Sequence, residues 1–442
     1  MRTIRVRNEQ SPGTLGRLLT AVSDAGGDVG EVRLIQEGSR SVIREITIYT
    51  SSYDDMELVL QAVRANPGTR LLEVRDEVLE LHQKGKIAIR SRCAVDSLSI
   101  LRRVYTPGVA EVCLKIQADP ALARQYTAIS HLVAIVTDGS AILGLGDIGP
   151  VAGMPVMEGK AMLMETLVGL SGVPILLDSQ DPETIIQTVI TIAPTFAAIQ
   201  LEDISAPRCF EIEARLQASL EMPVMHDDQH GTAVVVTAAL TKACRMTDTR
   251  LEKAMIGQVG LGAAGYSIGC MLMGLTGNPV MGADLRQDAL DRFSQAGGQP
   301  GTFDEIMASC DIVIATTGAA GLIKPEKIRK GQIILALSNP NPEIEPDIAI
   351  AQGAAFAADG KSVNNVLGFP GILRGAVDTW SRRISPEMYL AAAQALADLT
   401  PPDEFLPNPL DKTVHQAVAR AVASKSIEQG LARAEFVPYI EN

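Results

Sequence analysis

Two acidic pairs close short apolar runs in this 442-residue chain: Glu202 and Asp203 follow residues 196–201, and Asp227 and Asp228 follow His226 and residues 223–225. Carboxylates at the mouths of neighbouring strands can converge on one hard cation, and an all-oxygen set favours Mg²⁺ or Mn²⁺ over zinc. Taken singly, acids at strand ends more often cap helices or solvate turns, so the pairs alone assign no metal. Lys160, in M-E-G-K-A-M-L-M, stands among methionines at the start of an apolar helical pattern. Partial desolvation there, or a nearby cation, would lower its pKa toward neutrality and let it act as a base. In isolation it would be a surface lysine with its ammonium in water. Tyr105, ahead of Thr106-Pro107-Gly108, reads in isolation as a turn tyrosine.

Gly260-Leu261-Gly262-Ala263-Ala264-Gly265 follows an apolar strand pattern, opens a helical one, and precedes a second strand pattern ending at Asp284. That context suits a dinucleotide. Gly260 permits the tight turn, and Gly262 lets a pyrophosphate approach the backbone at the helix start, where Ala263 and Ala264 lie. Gly265 allows close helix packing. Asp284 can accept hydrogen bonds from a ribose diol and would repel a 2′-phosphate, which favours NAD, while the nearby Arg286 leaves NADP open. His226-Asp227-Asp228-Gln229-His230 imitates the H-E-x-x-H spacing of zinc hydrolases. That motif must lie within a helix; residues 223–225 look extended and Gly231 reads as a breaker, so no zinc hydrolase is expected.

The elements around these residues predict an α/β chain in several parts. Residues 3–9 alternate as a strand, Pro12-Gly13-Thr14 opens a helix, residues 31–37 and 42–50 are strands, 54–65 a helix and 70–78 a strand. The order β-α-β-β-α-β is ferredoxin-like and occupies residues 1–78, with a connector over 79–95. From 96 to 235 strands (131–136, 174–177) alternate with helices (157–170, 184–192), the last opened by Asp181-Pro182-Glu183. This pattern predicts a mainly parallel sheet covered by helices. Residues 236–366 form a Rossmann unit, with strands at 254–259, 280–283, 312–315 and 333–337. Helices at 386–399 and 412–424, within 367–442, are expected to pack back on the 96–235 domain.

Composition excludes several classes. A net charge of -13 without any basic run argues against a nucleic-acid groove. Six scattered cysteines without a C-x-x-C pair argue against a disulfide framework and for a reducing, cytoplasmic compartment. The N-terminus lacks the apolar core of a signal peptide. Residues 254–283 carry no charge and are long enough to span a bilayer, but eight glycines and Asn278-Pro279 interrupt them. A buried strand, turn and helix is expected there, and no membrane partner.

Together the motifs are far more specific. Y-T-P-G-V-A-E-V-C, V-T-D-G-S-A-I-L-G-L-G-D, P-V-M-E-G-K-A, L-E-D-I-S-A-P-R-C-F-E-I-E, H-D-D-Q-H-G-T-A, G-L-G-A-A-G, A-L-S-N-P and V-N-N-V-L-G-F-P-G-I occur in the order seen in short, bacterial-type malic enzymes. The resemblance covers roughly residues 90–400. It implies oxidative decarboxylation of malate to pyruvate with NAD and Mg²⁺ or Mn²⁺. Glu202, Asp203 and Asp228 would hold the metal, Lys160 would be the general base, Tyr105 the general acid, and Asp227 a support behind them. Asn339 and Asn365 would contact substrate or cofactor; Gly260, Gly262, Gly265 and Asp284 would hold the dinucleotide. The first 78 residues, with P-G-T-L-G-R-L-L after their first strand, resemble an ACT domain. This implies a small-metabolite effector, contacted around residues 8–16, and a homodimer or larger homo-oligomer. Two positions depart from the wider family: Ala141 stands where longer members carry a carboxylate-gripping arginine, and Met154 where short members often carry lysine. The clamp for the malate carboxylate is therefore unassigned. The alternatives are a dehydrogenase for another hydroxy or amino acid that does not decarboxylate, and a metabolite sensor without activity.

Overall fold

The computed structural model describes residues 1–50, 53–142 and 144–436. Leu143 of the V-T-D-G-S motif and the last six residues of the C-terminal segment lie outside the described residues. The chain divides into two units, Met1–Ala88 and Ile89–Asn442.

The smaller unit is a four-stranded antiparallel sheet with the order β2-β3-β1-β4, formed by β1 (Arg2–Glu9), β2 (Asp28–Glu37), β3 (Ser41–Tyr49) and β4 (Thr69–Arg75). Helices Thr14–Asp24 and Tyr53–Ala65 cover one face, burying Leu18, Val22, Val59 and Val63 against Ile4, Val6, Ile46 and Ile48. Period-two alternation in β1 puts Ile4 and Val6 on that face. The final strand ends earlier than residue 78, because Asp76 accepts a hydrogen bond from Leu79 N at 3.0 Å and caps a helix, Glu77–His82.

The larger unit carries two sheets, parallel throughout. The first has the order β6-β5-β7-β8: β5 (Leu132–Thr137), β6 (Ser171–Leu176), β7 (Ala198–Leu201) and β8 (Val224–His226). The second has the order β11-β10-β9-β12-β13-β14: β9 (Ile256–Val259), β10 (Met281–Ala283), β11 (Gln299–Pro300), β12 (Ile312–Ala315), β13 (Ile333–Ala336) and β14 (Phe356–Asp359). The apolar runs of β5, β12 and β13 match strands buried on both faces. Asp181 caps the helix Pro182–Ile192 through Thr184 N at 2.9 Å, as its sequence predicts. The C-terminal helices Phe369–Asp378 and Lys412–Glu428 pack on the helix Pro150–Val168, and Pro386–Leu399 packs on Asp227–Met246.

Two helices differ from expectation. Pro150–Val168 begins well ahead of residue 157, so Lys160 lies in its middle and is buried. Gly149 at φ 81° turns the chain into the first-turn Pro150, so a stretch that Gly153 and Pro155 make look like loop is already helical. Asp227–Met246 also runs straight through Gly231. A Cβ at Gly231 would stand 1.9 Å from Asp227 Oδ1, so this glycine makes room for a carboxylate rather than ending a helix. Residues 254–283 divide into β9, the helix Ala263–Thr276 and β10, and among the described residues no helix is long and apolar enough to cross a membrane.

Candidate active site

In both parallel sheets the strand order reverses, between β5 and β7 in the first and between β9 and β12 in the second. Loops leaving the C-terminal ends of strands on either side of such a reversal part and open a crevice. Register places the acids there. Val136 pairs with Leu201 and Leu201 with His226, so the next residues, Thr137, Glu202 and Asp227, leave the sheet side by side.

Glu202, Asp203 and Asp228 each offer an oxygen, and these lie within 4.8 Å of one another. Asp203 reaches this arrangement at φ 54°, a left-handed conformation, and is locked there: its N–H donates to Asp228 Oδ2 at 2.9 Å and its carbonyl accepts from Ala141 N at 3.0 Å. Gln200 donates to Glu202 at 2.6 Å. Lys160 reaches in from the helix above, held close to the sheet because Ala161 lies against Gly172 of β6, where a Cβ would stand 2.7 Å from Ala161 Cα. Its ammonium is 2.5 Å from Asp227 Oδ2 and 2.9 Å from Glu202 Oε1, and it lies over the Phe369 ring at 4.6 Å. Asn365 donates to the same Asp227 oxygen at 3.0 Å.

These contacts correct the expected charge state of Lys160. Burial works to lower its pKa, but the Asp227 and Glu202 carboxylates outweigh it and the net shift is upward, so in this structure the group is an ammonium. Burial pushes Asp227 up to about 6 against the pull of Lys160, and burial followed by Asp228 raises Glu202. Four carboxylates around one ammonium leave an excess of negative charge, and Asp227 Oδ1 has no hydrogen-bond partner. An oxygen-only donor set with that excess fits a divalent cation.

The structure separates the other site residues. Asn365 and Asp227 join the cluster. Tyr105 does not: it is 67% exposed, and no side-chain hydrogen bond among the described residues ties it to the carboxylates. Asn339 is exposed beyond β13, with its carbonyl beside Gly144. The two histidines of the zinc-like spacing do not converge on a metal. His230 is 3.0 Å from Glu213 and stacks on Tyr389 at 4.5 Å, while His226 is buried with neither ring nitrogen hydrogen-bonded. Glu213 is a residue the motifs did not single out. Buried on the helix Arg208–Ser219, it accepts from His226 N at 2.8 Å and Gln229 Nε2 at 3.1 Å, clamping the turn that carries Asp227 and Asp228. Only its place in F-E-I-E, facing inward once the helical period is drawn, signals it.

At the second crevice Gly260 has φ 86°, and a Cβ there would meet the Thr316 carbonyl at 2.7 Å. At Gly265 a Cβ would stand 1.9 Å from the Gly260 carbonyl, whereas at Gly262 it would point into open space. That is the fit a dinucleotide requires: two glycines packed against the protein, and one leaving the backbone bare at the start of Ala263–Thr276. Asp284 accepts from Leu261 N at 2.7 Å and so also tethers the turn. Arg286 is turned to Asp288, at 2.5 Å. Glu343, likewise not singled out by motif, is buried and accepts from Thr317 N at 2.7 Å and Ser338 Oγ at 2.5 Å, joining the loops after β12 and β13.

Comparison with known proteins fits this geometry. Family models for the malic enzyme N-terminal domain and the malic enzyme NAD binding domain match residues 84–217 and 294–430. The NAD-dependent malic enzyme 1 of Bacillus subtilis is 54% identical over 424 residues, 96% of this chain and 97% of that one. The chain belongs to the malic enzyme family. A Geobacillus stearothermophilus NAD-dependent malic enzyme is 39% identical, across 99% of this chain and 96% of its own. Among solved structures, the malic enzyme of Pyrococcus horikoshii superposes with a TM-score of 0.77 at 38% identity, covering 81% of this chain and 92% of its own. The NAD-dependent malic enzyme of Thermotoga maritima gives 0.75 at 37% identity, with coverage of 79% and 99%. Neither family model matches residues 218–293, which contain Asp227, Asp228 and the glycine turn, whereas the Bacillus subtilis alignment spans 96% of the chain.

Proposed function

We propose that this chain is an NAD-dependent malic enzyme, converting (S)-malate to pyruvate and CO₂. The observation that carries the reading is Lys160 held between Glu202 and Asp227 beside a three-carboxylate cation set, in a chain of this family. A divalent cation on Glu202, Asp203 and Asp228 would supply Lewis-acid polarisation of the malate C2 oxygen, and NAD at the glycine turn would take the C2 hydride. Lys160, once deprotonated, takes the C2 hydroxyl proton. Asp227 orients it, and the buried Phe369 ring lies against it. The resulting β-keto acid loses its C4 carboxylate as CO₂, and the enolate is protonated at C3 to give pyruvate. The test is one assay of the purified protein with malate, Mn²⁺ and either NAD or NADP. Stoichiometric CO₂ and NADH support the reading; NADH with oxaloacetate and no CO₂ sinks it.

Tyr105 is our candidate for the C3 acid, delivered within a homodimer. Its neighbouring helices Leu98–Val104 and Gly108–Ala118 bury no residue, and Leu98, Leu114 and Tyr105 stand exposed, as a face awaiting a second copy would. Mixing Tyr105→Phe and Lys160→Ala chains should restore activity that neither has alone; inactive mixed dimers would place Tyr105 elsewhere. The smaller unit is read as an ACT-type regulatory module. Its element order supports this, as does β2, an edge strand with Leu34 and Ile35 exposed, suited to pairing. A ligand there would act by preferring one catalytic state, changing apparent malate affinity by roughly 5- to 150-fold. A screen of amino acids and central metabolites on full-length and truncated protein (cut near residue 88) tests it. If no compound acts selectively on the full-length enzyme, the unit serves assembly alone.

A further inference from the structure

Beneath the N-terminal ends of β5, β7 and β8, at the opposite edge of the sheet from the carboxylates, lies an open cavity of about 340 Å³. Its wall is apolar, with Ile190, Phe196 and Met222, and Trp380 and two arginines stand at its polar side. Arg124 and Arg433 both lie against the Trp380 ring, at 4.9 and 4.3 Å from its centre. They are held differently. Arg433 is spent on the protein, donating to the Trp380 carbonyl at 3.0 Å and the Glu221 carbonyl at 2.7 Å. Arg124 makes one hydrogen bond, to the Val377 carbonyl at 3.0 Å, and among the described residues no carboxylate forms a direct ion pair with it, Asp378 acting on it through its charge alone. The neighbouring Asp378 is taken by Arg374.

A partly desolvated guanidinium with no carboxylate in hydrogen-bond contact is costly, and its remaining N–H groups present a planar fork suited to a carboxylate. Burial, then the charge of Arg433, lowers the Arg124 pKa, and the Asp378 carboxylate offsets only part of this. Trp380 itself has a left-handed backbone, at φ 47°. Glu221, among the described residues the one carboxylate lining the cavity, is paired with Arg382 at 2.8 Å. We propose that this cavity binds a monocarboxylate with a compact apolar body, its carboxylate on Arg124 and its body against Ile190, Phe196 and Met222. The site uses none of the residues assigned to malate chemistry and does not depend on that reading.

Trp380 is the only tryptophan of the chain, so its emission reports occupancy directly. Full-length protein is titrated with 3-methylbutanoate, malonate, inorganic phosphate and 3-methylbutan-1-amine at constant ionic strength. The expected result is a saturable change with 3-methylbutanoate, at least about tenfold weaker binding of malonate and phosphate, and none of the amine. Arg124→Met should weaken 3-methylbutanoate binding at least about tenfold while leaving metal-dependent turnover of malate intact. Ala123→Leu, which keeps both arginines but fills the cavity, should weaken it as well. A flat titration, tighter binding of phosphate or malonate, or a response unchanged in both variants overturns the proposal.

Discussion

The two parallel sheets of the larger unit build their sites by opposite means. At β5, β7 and β8 the site consists of side chains: four carboxylates and one ammonium, drawn from different elements and largely buried. At β9 and β12 it consists of their absence, a glycine turn whose middle member faces open space. A cation site concentrates charge that must be balanced from outside, whereas a dinucleotide site needs backbone left bare. Substitutions should therefore fail differently in the two places. Removing a group from the first leaves its partners stranded, and adding a methyl group to the second blocks it.

The largest effects belong to the charged cluster. Lys160→Ala should lower kcat by about two to four orders of magnitude with the fold intact, the usual range for a positioned acid-base group. A variant within threefold of the parent would remove Lys160 from that role. Asp228→Ala should abolish activation by Mn²⁺, since two carboxylates hold the cation poorly; normal activation at saturating Mn²⁺ would show the ligand set to be wrong.

The glycine turn gives the next contrast. Gly265→Ala has no room, and an overpacked site of this kind costs about 1–3 kcal/mol, visible as a lowered Tm. Gly262→Ala has room in the protein alone, so its Tm should not change, while the KM for NAD should rise roughly tenfold as the pyrophosphate loses its approach. Unchanged NAD binding in Gly262→Ala would put the cofactor elsewhere.

A smaller effect tests whether the charged site depends on its support. Glu213→Gln should weaken Mn²⁺ affinity by about tenfold, as for other groups that orient metal ligands. Burial alone would raise the Glu213 pKa, but His230 and His226 outweigh it and hold it below its ordinary 4.5. A carboxyl whose folded pKa is depressed stabilises the fold above its unfolded pKa and loses that contribution as pH falls through the folded value. The Tm deficit of Glu213→Gln at pH 7 should therefore shrink below about pH 4.5, the ordinary value of this group. A deficit constant with pH would make Glu213 a packing residue. The smallest effect concerns cofactor choice. Asp284 is expected to favour NAD and Asp288 holds Arg286 aside, so Asp288→Ala should raise kcat/KM with NADP by only a few-fold, about 1 kcal/mol or less for an exposed ion pair. No change would show that Arg286 does not reach the 2′ position.

Much of the framework was legible because its signals are local. The Asp181 cap, the strand-turn-helix around Gly260 and Gly265, and the alternation in β1 each act within a few residues, through hydrogen bonds and steric limits that any neighbourhood preserves. The motif residues Lys160, Glu202, Asp203, Asp227 and Asp228 could likewise be singled out by type and order. Their state could not. Lys160 looks like a base of lowered pKa from its methionine-rich surroundings, yet Asp227 and Glu202, brought in just past the ends of two strands, hold it as an ammonium. Gly231 looks like a helix breaker, yet Asp227 Oδ1 occupies the space a Cβ would need. Glu213 looks like one more helical acid until His226, Gln229 and His230 close on it. Charge state, burial and pairing depend on which atoms lie within a few ångströms, and across strands distant in sequence only the folded chain sets those distances.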